Sequence, residues 1–400
     1  MKTYIIILSL FWIISPYGFI FAFLLLVNQK MVSLSSLKYF DVLISLSFAL
    51  LAFTQKSHAI DDTDVIRYYE SCRVFLNASW DVIPLLLSEE ILTYTFTLVN
   101  AVIVIIFRDV QLISLFWVWI IYYFYFLSFE KIFANEDIPL TRTNLFLYYL
   151  FSLFGAILFV KVTDTIKSAA AISVFFYLLI SFIYGAKKWK LLLGVWITVG
   201  IHSMVLMLLP LFLYKRVTLR FLIFTLFGVI LLSPVINLMN ILSLFPINDG
   251  FMLLLQEKVA VYATDQEGVT KRYIVISIIT LLYALFLNKQ KQFSKEDKYV
   301  NIIFIYLLIM WLCFNNATAF VRMVNFAHFI YTFELIFLLK YMRKKSPQFV
   351  LFIFFFLITN FQMTLGRTIT GAYRSSYMDN SIVKILTSSV FDYLSYKTFF

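Results

Sequence analysis

Apolar residues run along this chain in long unbroken blocks, at approximately 4–27, 39–54, 91–107, 111–129, 144–160, 168–184, 191–213, 218–236, 273–287, 299–314, 324–339 and 348–364. None of the blocks alternates with the period of two that a membrane β-barrel shows. About 20 apolar residues suffice to cross a bilayer core as a helix. Inside that core only helices and closed barrels satisfy their own backbone. The pattern therefore predicts an all-α, polytopic integral membrane protein with about 11–12 transmembrane helices in a single domain over 1–400. The first block is too long for the apolar region of a signal peptide and lacks a small-x-small cleavage pattern, so it reads as a retained span.

Composition sharpens this. The chain is 62% hydrophobic and 14% charged, against roughly 25% charged residues in soluble domains. A formal net charge of +11 would suggest nucleic acid in a soluble protein. Here the basic residues cluster between apolar blocks, as in Lys187-Lys188-Trp189-Lys190, Lys215-Arg216 to Arg220, Lys289 to Lys298 and Lys340 to Lys345. The positive-inside rule produces that arrangement, so no nucleic-acid partner is implied and the clusters read as cytoplasmic. The mixed connectors 55–90 and 237–272, and the tail 365–400, then face the other side. Cys72 and Cys313 imply neither a disulfide nor a metal site.

Strict alternation of sides does not close. Keeping 185–190 and 215–220 on one side requires 191–213, with Gly200 and His202 at its centre, to enter and return. A second conflict vanishes if 91–107 is re-entrant or lies along the interface. One or two re-entrant segments are thus expected, unless charge counts mislead in short loops. Non-helical backbone at membrane depth survives only where it is buried in protein or lines a cavity. Glycine is scarce, ten residues in all, and no paired Gly/Pro-interrupted segments of the kind found in alternating-access carriers occur.

Four polar constellations could carry chemistry. Asp61-Asp62-Thr63-Asp64 leads into Arg67 and Tyr68, and on a helix Asp64 shares a face with both. A carboxylate there suits a sugar hydroxyl as base or orienter; it equally suits a solvated acidic loop. Lys167 precedes Ser168-Ala169-Ala170-Ala171, where a cation opposes the helix dipole; an ordinary snorkelling lysine is the simpler reading. His202-Ser203 lies inside an apolar block, a functional position by default, with a buried neutral histidine as the alternative. No ligand spacing accompanies it, so no metal is expected. Arg322, after Asn315-Asn316, offers a donor fork suited to phosphate, whether a substrate's or a phospholipid's. Lys258, Arg272, Arg367 and Arg374 add cations on the side away from the basic connectors.

Taken in order, these features resemble the Wzy-type polysaccharide polymerases of the EpsG-like branch. The resemblance rests on Asp64 and Tyr68 after two spans, Lys167 opening an Ala-rich span, and Lys187-Lys188. It continues through His202-Ser203 with Leu206 to Arg322 before Phe326 and Phe329 to Tyr331. It covers most of 55–340, and arginine is usual where Lys167 stands. It implies a multi-pass protein of the bacterial cytoplasmic (inner) membrane that polymerises undecaprenyl-diphosphate-linked oligosaccharide repeats, as in O-antigen or exopolysaccharide, on the outer face. The enzyme would be a glycosyltransferase without cofactor. Asp64, or His202 in its place, would act as base or orienter. Arg322, Lys167 and Arg272 would clamp the diphosphate, Arg67 would stand beside Asp64, and Tyr68 and Trp80 would stack on sugars. Membrane lipids and a chain-length regulator are the further partners implied. A lipid-linked oligosaccharide flippase and a lipid-carrier glycosyltransferase using a single-sugar donor are the competing readings.

Overall fold

The computed structural model of the 400-residue chain describes residues 2–26, 34–57, 64–80, 83–84, 93–136, 138–153, 157–233, 274, 278, 297–316, 319–324, 326, 330, 333 and 375–397. Asp61, Asp62, Arg272, the connectors 237–272 and 340–345, and Arg367 and Arg374 lie outside them. The chain forms two units, 1–205 with 334–400, and 206–333.

The first unit is built on three helices, α3 (Leu34–Phe53), α6 (Leu112–Asn135) and α9 (Ile166–Ile183). Among the described residues these are the ones long and apolar enough to cross a membrane. Their hydrogen bonds fix their directions. Gln111 Nε2 donates to the Phe53 carbonyl (2.9 Å) and Ser114 Oγ to that of Ala52 (3.1 Å). At the far end Lys38 pairs with Glu130 at 3.7 Å. So α3 and α6 run antiparallel. Ser173 Oγ donates to the Ile121 carbonyl, and Lys131 Nζ to Ser181 Oγ at 2.9 Å, so α9 runs parallel to α6. Between these polar pins the interior is aromatic, with Phe48 stacked on Tyr122 at 4.4 Å. In a bilayer the hydrophobic effect does not drive helices together, so such packing and interhelical hydrogen bonds hold the bundle.

The remaining elements refine the predicted blocks. The block 4–27 divides into α1 (Lys2–Ile14) and α2 (Pro16–Leu26), because Pro16 has no N–H to continue the ladder. Ser15 Oγ accepts the Gly18 amide there and donates to the Leu386 carbonyl. Block 144–160 divides into α7 (Arg142–Phe151) and α8 (Phe159–Asp164). Tyr149 Oη donates to Asp41 Oδ1 at 2.6 Å, while Phe159 lies 5.7 Å from Phe48. These two helices together return the chain to the end where α3 finishes.

Helix α5 (Tyr94–Phe107) has 14 residues, about 21 Å at 1.5 Å per residue, short of a bilayer core of about 30 Å. Phe96 contacts Tyr68 and the Lys167 ammonium, and Arg108 leads through the next turn into α6. Both ends of α5 therefore lie at one end of the bundle, and the helix does not cross it. Helix α10 (Lys188–Ile201) runs antiparallel to α9 and stops at His202, whose backbone is extended (φ −154°, ψ 122°). A 3-10 helix, Ser203–Leu213, follows and contains Pro210. The block 191–213 is thus broken at its centre, at the predicted histidine.

Two short strands pair antiparallel, β1 (Gln55–Ser57) and β2 (Ser375–Tyr377), with Gln55 opposite Tyr377 and Ser57 opposite Ser375. After β2 come α13 (Ile382–Thr387) and α14 (Val390–Ser395). The described part of the tail therefore lies at the same end as the 55–80 connector.

In the second unit, α11 (Leu219–Leu232) and α12 (Asp297–Leu312) pack together. Asn301 Nδ2 donates to the Tyr214 and Val217 carbonyls at 2.9 and 3.1 Å. Beyond α12 the chain turns at 313–316 and comes back along it. Phe320 meets Trp311 at 5.8 Å, Tyr306 Oη donates to the Met323 carbonyl at 2.6 Å, and Phe333 stacks on Tyr299.

Candidate functional site

The first unit has two chemically distinct ends. One carries Lys38, Glu130 and the Tyr184–Glu136 hydrogen bond of 2.8 Å. The other gathers Gln55, Arg108, Lys167, Tyr377 and helix α4 (Asp64–Cys72). The candidate site lies at this second end.

Helix α4 is amphipathic for a reason visible in its letters. Val65, Ile66, Tyr69 and Cys72 are buried on one side, at the one- and three-to-four-residue spacings of a helix face. Asp64 occupies the first turn, where a carboxylate complements the helix dipole. Its carboxylate pairs with Arg67, three residues on, as i,i+3 geometry allows. The Arg67 side chain is 60% exposed and that of Asp64 19%, so the pair itself contributes no more than about 1 kcal/mol.

Tyr68 meets Phe96 edge-on, with ring centres 4.9 Å apart. Phe96 in turn stacks on Trp117 at 5.0 Å. The Trp117 indole donates to Asn100 Oδ1 at 2.7 Å, which fixes its orientation. Into this aromatic corner projects Lys167, with its Nζ 5.2 Å from the Phe96 ring centre and 5.8 Å from that of Tyr68. Lys167 is the second residue of α9, after a break at Thr165 (φ −127°, ψ 47°). A cation in a helix's first turn is disfavoured by the dipole, and the two ring faces supply the compensating attraction.

The same helix α5 reaches the broken segment. Tyr94 Oη donates to the Trp196 carbonyl at 2.6 Å and its ring lies 4.8 Å from that indole. Gly200 lets α10 approach so closely that any side chain there would collide with Tyr94 and Thr95. His202 follows two residues later, and its Nδ1 accepts the Met204 amide at 3.0 Å. That bond places the proton of the neutral imidazole on Nε2, which is then a donor.

The structure thus brings Tyr68 and Lys167 together at Phe96 and sets the Asp64–Arg67 pair on the same short helix as Tyr68, while α5 also touches α10 at Trp196 and Gly200, two residues before His202. Trp80 is not part of the corner; it stands 53% exposed beyond the 3-10 turn Arg73–Leu76. Arg322 belongs to the second unit, half-buried one residue before the carbonyl that Tyr306 holds. Arg272 lies outside the described residues. Phe96, Trp117 and Arg108 stand inside or beside apolar blocks and carry no distinguishing signal in the sequence. Arg108 adopts φ 55°, rare for a non-glycine residue. It donates through Nη1 to the carbonyls of Phe75, Leu76 and Ala78 and so anchors the connector that leaves α4. Among the described residues no three His, Cys, Asp or Glu side chains gather to hold a metal, and Cys72 and Cys313 are free and buried.

Arranged this way, the site can hold an anion at Lys167, present aromatic edges and faces to a ring-shaped ligand, and offer a carboxylate or an imidazole to a hydroxyl. The model of the EpsG family matches residues 41–377, a span containing every residue of this corner. No curated protein and no solved structure matches the chain.

Proposed function

The chain belongs to the EpsG family, and from that premise we propose that it polymerises polyprenyl-diphosphate-linked oligosaccharide repeats at the outer face of the cytoplasmic membrane. Family membership supports a polysaccharide-polymerase role in general. The finer reading is supported by one observation above all, the Lys167 ammonium held over Tyr68 and Phe96 at the end of the unit that carries Asp64.

In this reaction a sugar hydroxyl of one lipid-linked repeat attacks the anomeric carbon of another glycan. The carbon–oxygen bond to the diphosphate breaks, and the polyprenyl diphosphate leaves with the bonding electron pair. The hydroxyl proton passes to Asp64; His202 would serve as base in its place only by giving up the Met204 amide at Nδ1. Lys167 stabilises the charge that develops on the leaving diphosphate. The donor is already activated, so the proposed step needs no nucleotide. Tyr68 packs against the bound sugar, and Trp80, exposed on the adjoining turn, serves longer glycans. A chain-length regulator acts on the same growing polymer.

The experiment that tests the reading is lipid analysis of a deletion strain. Single lipid-linked repeats should accumulate on the outer leaflet while polymer disappears. Accumulation on the inner leaflet would make the protein a flippase instead. Asp64→Asn keeps side-chain size and loses basicity, so polymerisation should fall by about 10²–10⁴; a variant with undiminished polymer would move the base role to His202.

A further inference from the structure

We propose that the C-terminal segment 375–397 is a clamp that sets the position of the candidate site, with Tyr377 as its positioning residue. This rests on the reading above, in which Asp64 and Lys167 serve glycosyl transfer.

The segment packs on α1, α2 and α3, and three further attachments lie on the chain leading into a site element. First, β2 pairs with β1 in a fixed register, Gln55 opposite Tyr377 and Lys56 opposite Ser376. Strand β1 continues directly from α3 and is the last described stretch before Asp64 opens α4. Second, Tyr377 is fully buried, its ring 5.1 Å from Phe159, and its hydroxyl bonds Thr163 Oγ1. Thr163 Oγ1 also lies 3.2 and 3.0 Å from the carbonyls of Phe159 and Val160, and either hydroxyl can donate in its bond with Tyr377. Thr163 stands in the last turn of α8, immediately before the break at Thr165 from which Lys167 projects. Third, Lys397 pairs with Asp109, and the Gln111 side chain donates to the Tyr396 carbonyl at 3.4 Å. Asp109 adjoins Arg108, which holds the connector leaving α4.

Between these attachments the segment is internally braced. Asp379, at φ 54°, reverses the chain after β2. Its carboxylate takes Lys384 Nζ at 2.8 Å and the Tyr396 hydroxyl. Tyr393 Oη donates to the Ile385 carbonyl at 2.7 Å, and Ser15 Oγ donates to that of Leu386. The segment thus behaves as one piece. It meets the entrances to α4, α9 and α6 rather than Asp64 or Lys167 themselves, which is the arrangement of a positioning device. The family model reaches Tyr377 as its last matched residue.

The test uses the full chain in membranes. A Ser57→Cys/Ser375→Cys pair should cross-link on mild oxidation, since paired residues of antiparallel strands bring Cβ atoms to about 4.5–5.5 Å and disulfides tolerate the matching Cα separation. A Lys56→Cys/Ser375→Cys pair, on opposite faces of the ribbon, should not. Tyr377→Phe, which keeps the ring and loses the bond to Thr163, should lower polymer turnover about 3–10-fold, the size of one hydrogen bond. Thr163→Val should do the same, and the two together should cost no more than either alone. In the Tyr377→Phe background, thiol labelling of Lys167→Cys should accelerate by a similar factor. Wild-type labelling at 167 in Tyr377→Phe, or additive losses in the double variant, overturns the clamp; so does failure of the Ser57/Ser375 pair to cross-link. Cross-linking and labelling need no polymer, so they decide the clamp even if the chain proves not to be a polymerase.

Discussion

The Lys167 ammonium stands 5.2 Å from the ring centre of Phe96, a residue 71 positions away, although the first turn of a helix is an unfavourable place for a cation. In the proposed reaction this ammonium is the contact to the leaving diphosphate. Lys167→Met should therefore reduce polymerisation by about 10²–10³, the range for removing one preorganised oxyanion contact. Lys167→Arg should restore most of it. Stability should change by only about 0.5–1 kcal/mol, the worth of a cation–π contact near a surface. Turnover with purified lipid-linked repeats, set beside a thermal unfolding curve, separates the two effects. Equal losses in both would make Lys167 a packing residue.

How the chain enters and leaves the membrane can be checked at two exposed positions of the first unit. Asn77 follows the 3-10 turn at the candidate-site end, and Lys190 lies in the basic connector at the opening of α10. In intact cells a membrane-impermeant maleimide should label Asn77→Cys and leave Lys190→Cys unlabelled until the cells are opened. The reverse pattern would invert the bundle and remove the outer-face reaction.

Much of this architecture is legible in the sequence because it depends on local pattern. Continuous apolar blocks give helices, the mismatch of charge and parity singles out 91–107 and 191–213, and the Asp64–Arg67 spacing anticipates their ion pair. Other features depend on approach between distant elements. Glu130 and Lys131 read as the end of an apolar block, yet α6 continues to Asn135. Lys38 pairs with the one and Ser181 accepts from the other. Lys167 reads as a snorkelling lysine until α4 and α5 supply the rings above it. The tail has no periodic signal at all, and its role rests on strand pairing with a partner 322 positions away (Gln55 with Tyr377). Pro16 is the one local signal passed over: it ends the ladder inside what reads as a single span.

Acid should release the tail before it unfolds the bundle. Hydrogen bonds from Lys384 and Tyr396 hold the Asp379 carboxyl below its ordinary 3.8. The Ser389 amide and hydroxyl lower Asp392 in the same direction. A depressed carboxyl pKa contributes stability that is complete above the unfolded value and is lost as pH falls through the folded one. The Tyr396 hydroxyl, pushed up to about 12 mainly by burial, stays protonated throughout the neutral range. The short distance between spin labels attached at Ser57→Cys and Ser375→Cys should therefore persist from about pH 5 to 9 and decline in population only below about pH 4. Asp379→Asn should be weakened already at neutral pH. A decline centred near pH 6 would point to another group.

Arg322 offers the sharpest separation of charge from geometry, because its surroundings are simple to leave intact. It lies half-buried on the stretch returning along α12, next to Met323, whose carbonyl is fixed by the Tyr306 hydroxyl. If its guanidinium grips the diphosphate, Arg322→Ala should abolish chain extension, at a cost of about 2–4 kcal/mol in the transition state. Arg322→Lys keeps the charge without the fork, and should recover part of the rate. Tyr306→Phe loosens the same backbone without touching the cation. It should lower thermal stability by about 0.5–1.5 kcal/mol, with turnover close to normal in whatever protein remains folded. Polymer of ordinary length from the Arg322→Ala strain would leave the arginine as a lipid-headgroup contact. A Tyr306→Phe defect as deep as that of Arg322→Ala would show that the turn's backbone, rather than the cation, is what the reaction needs.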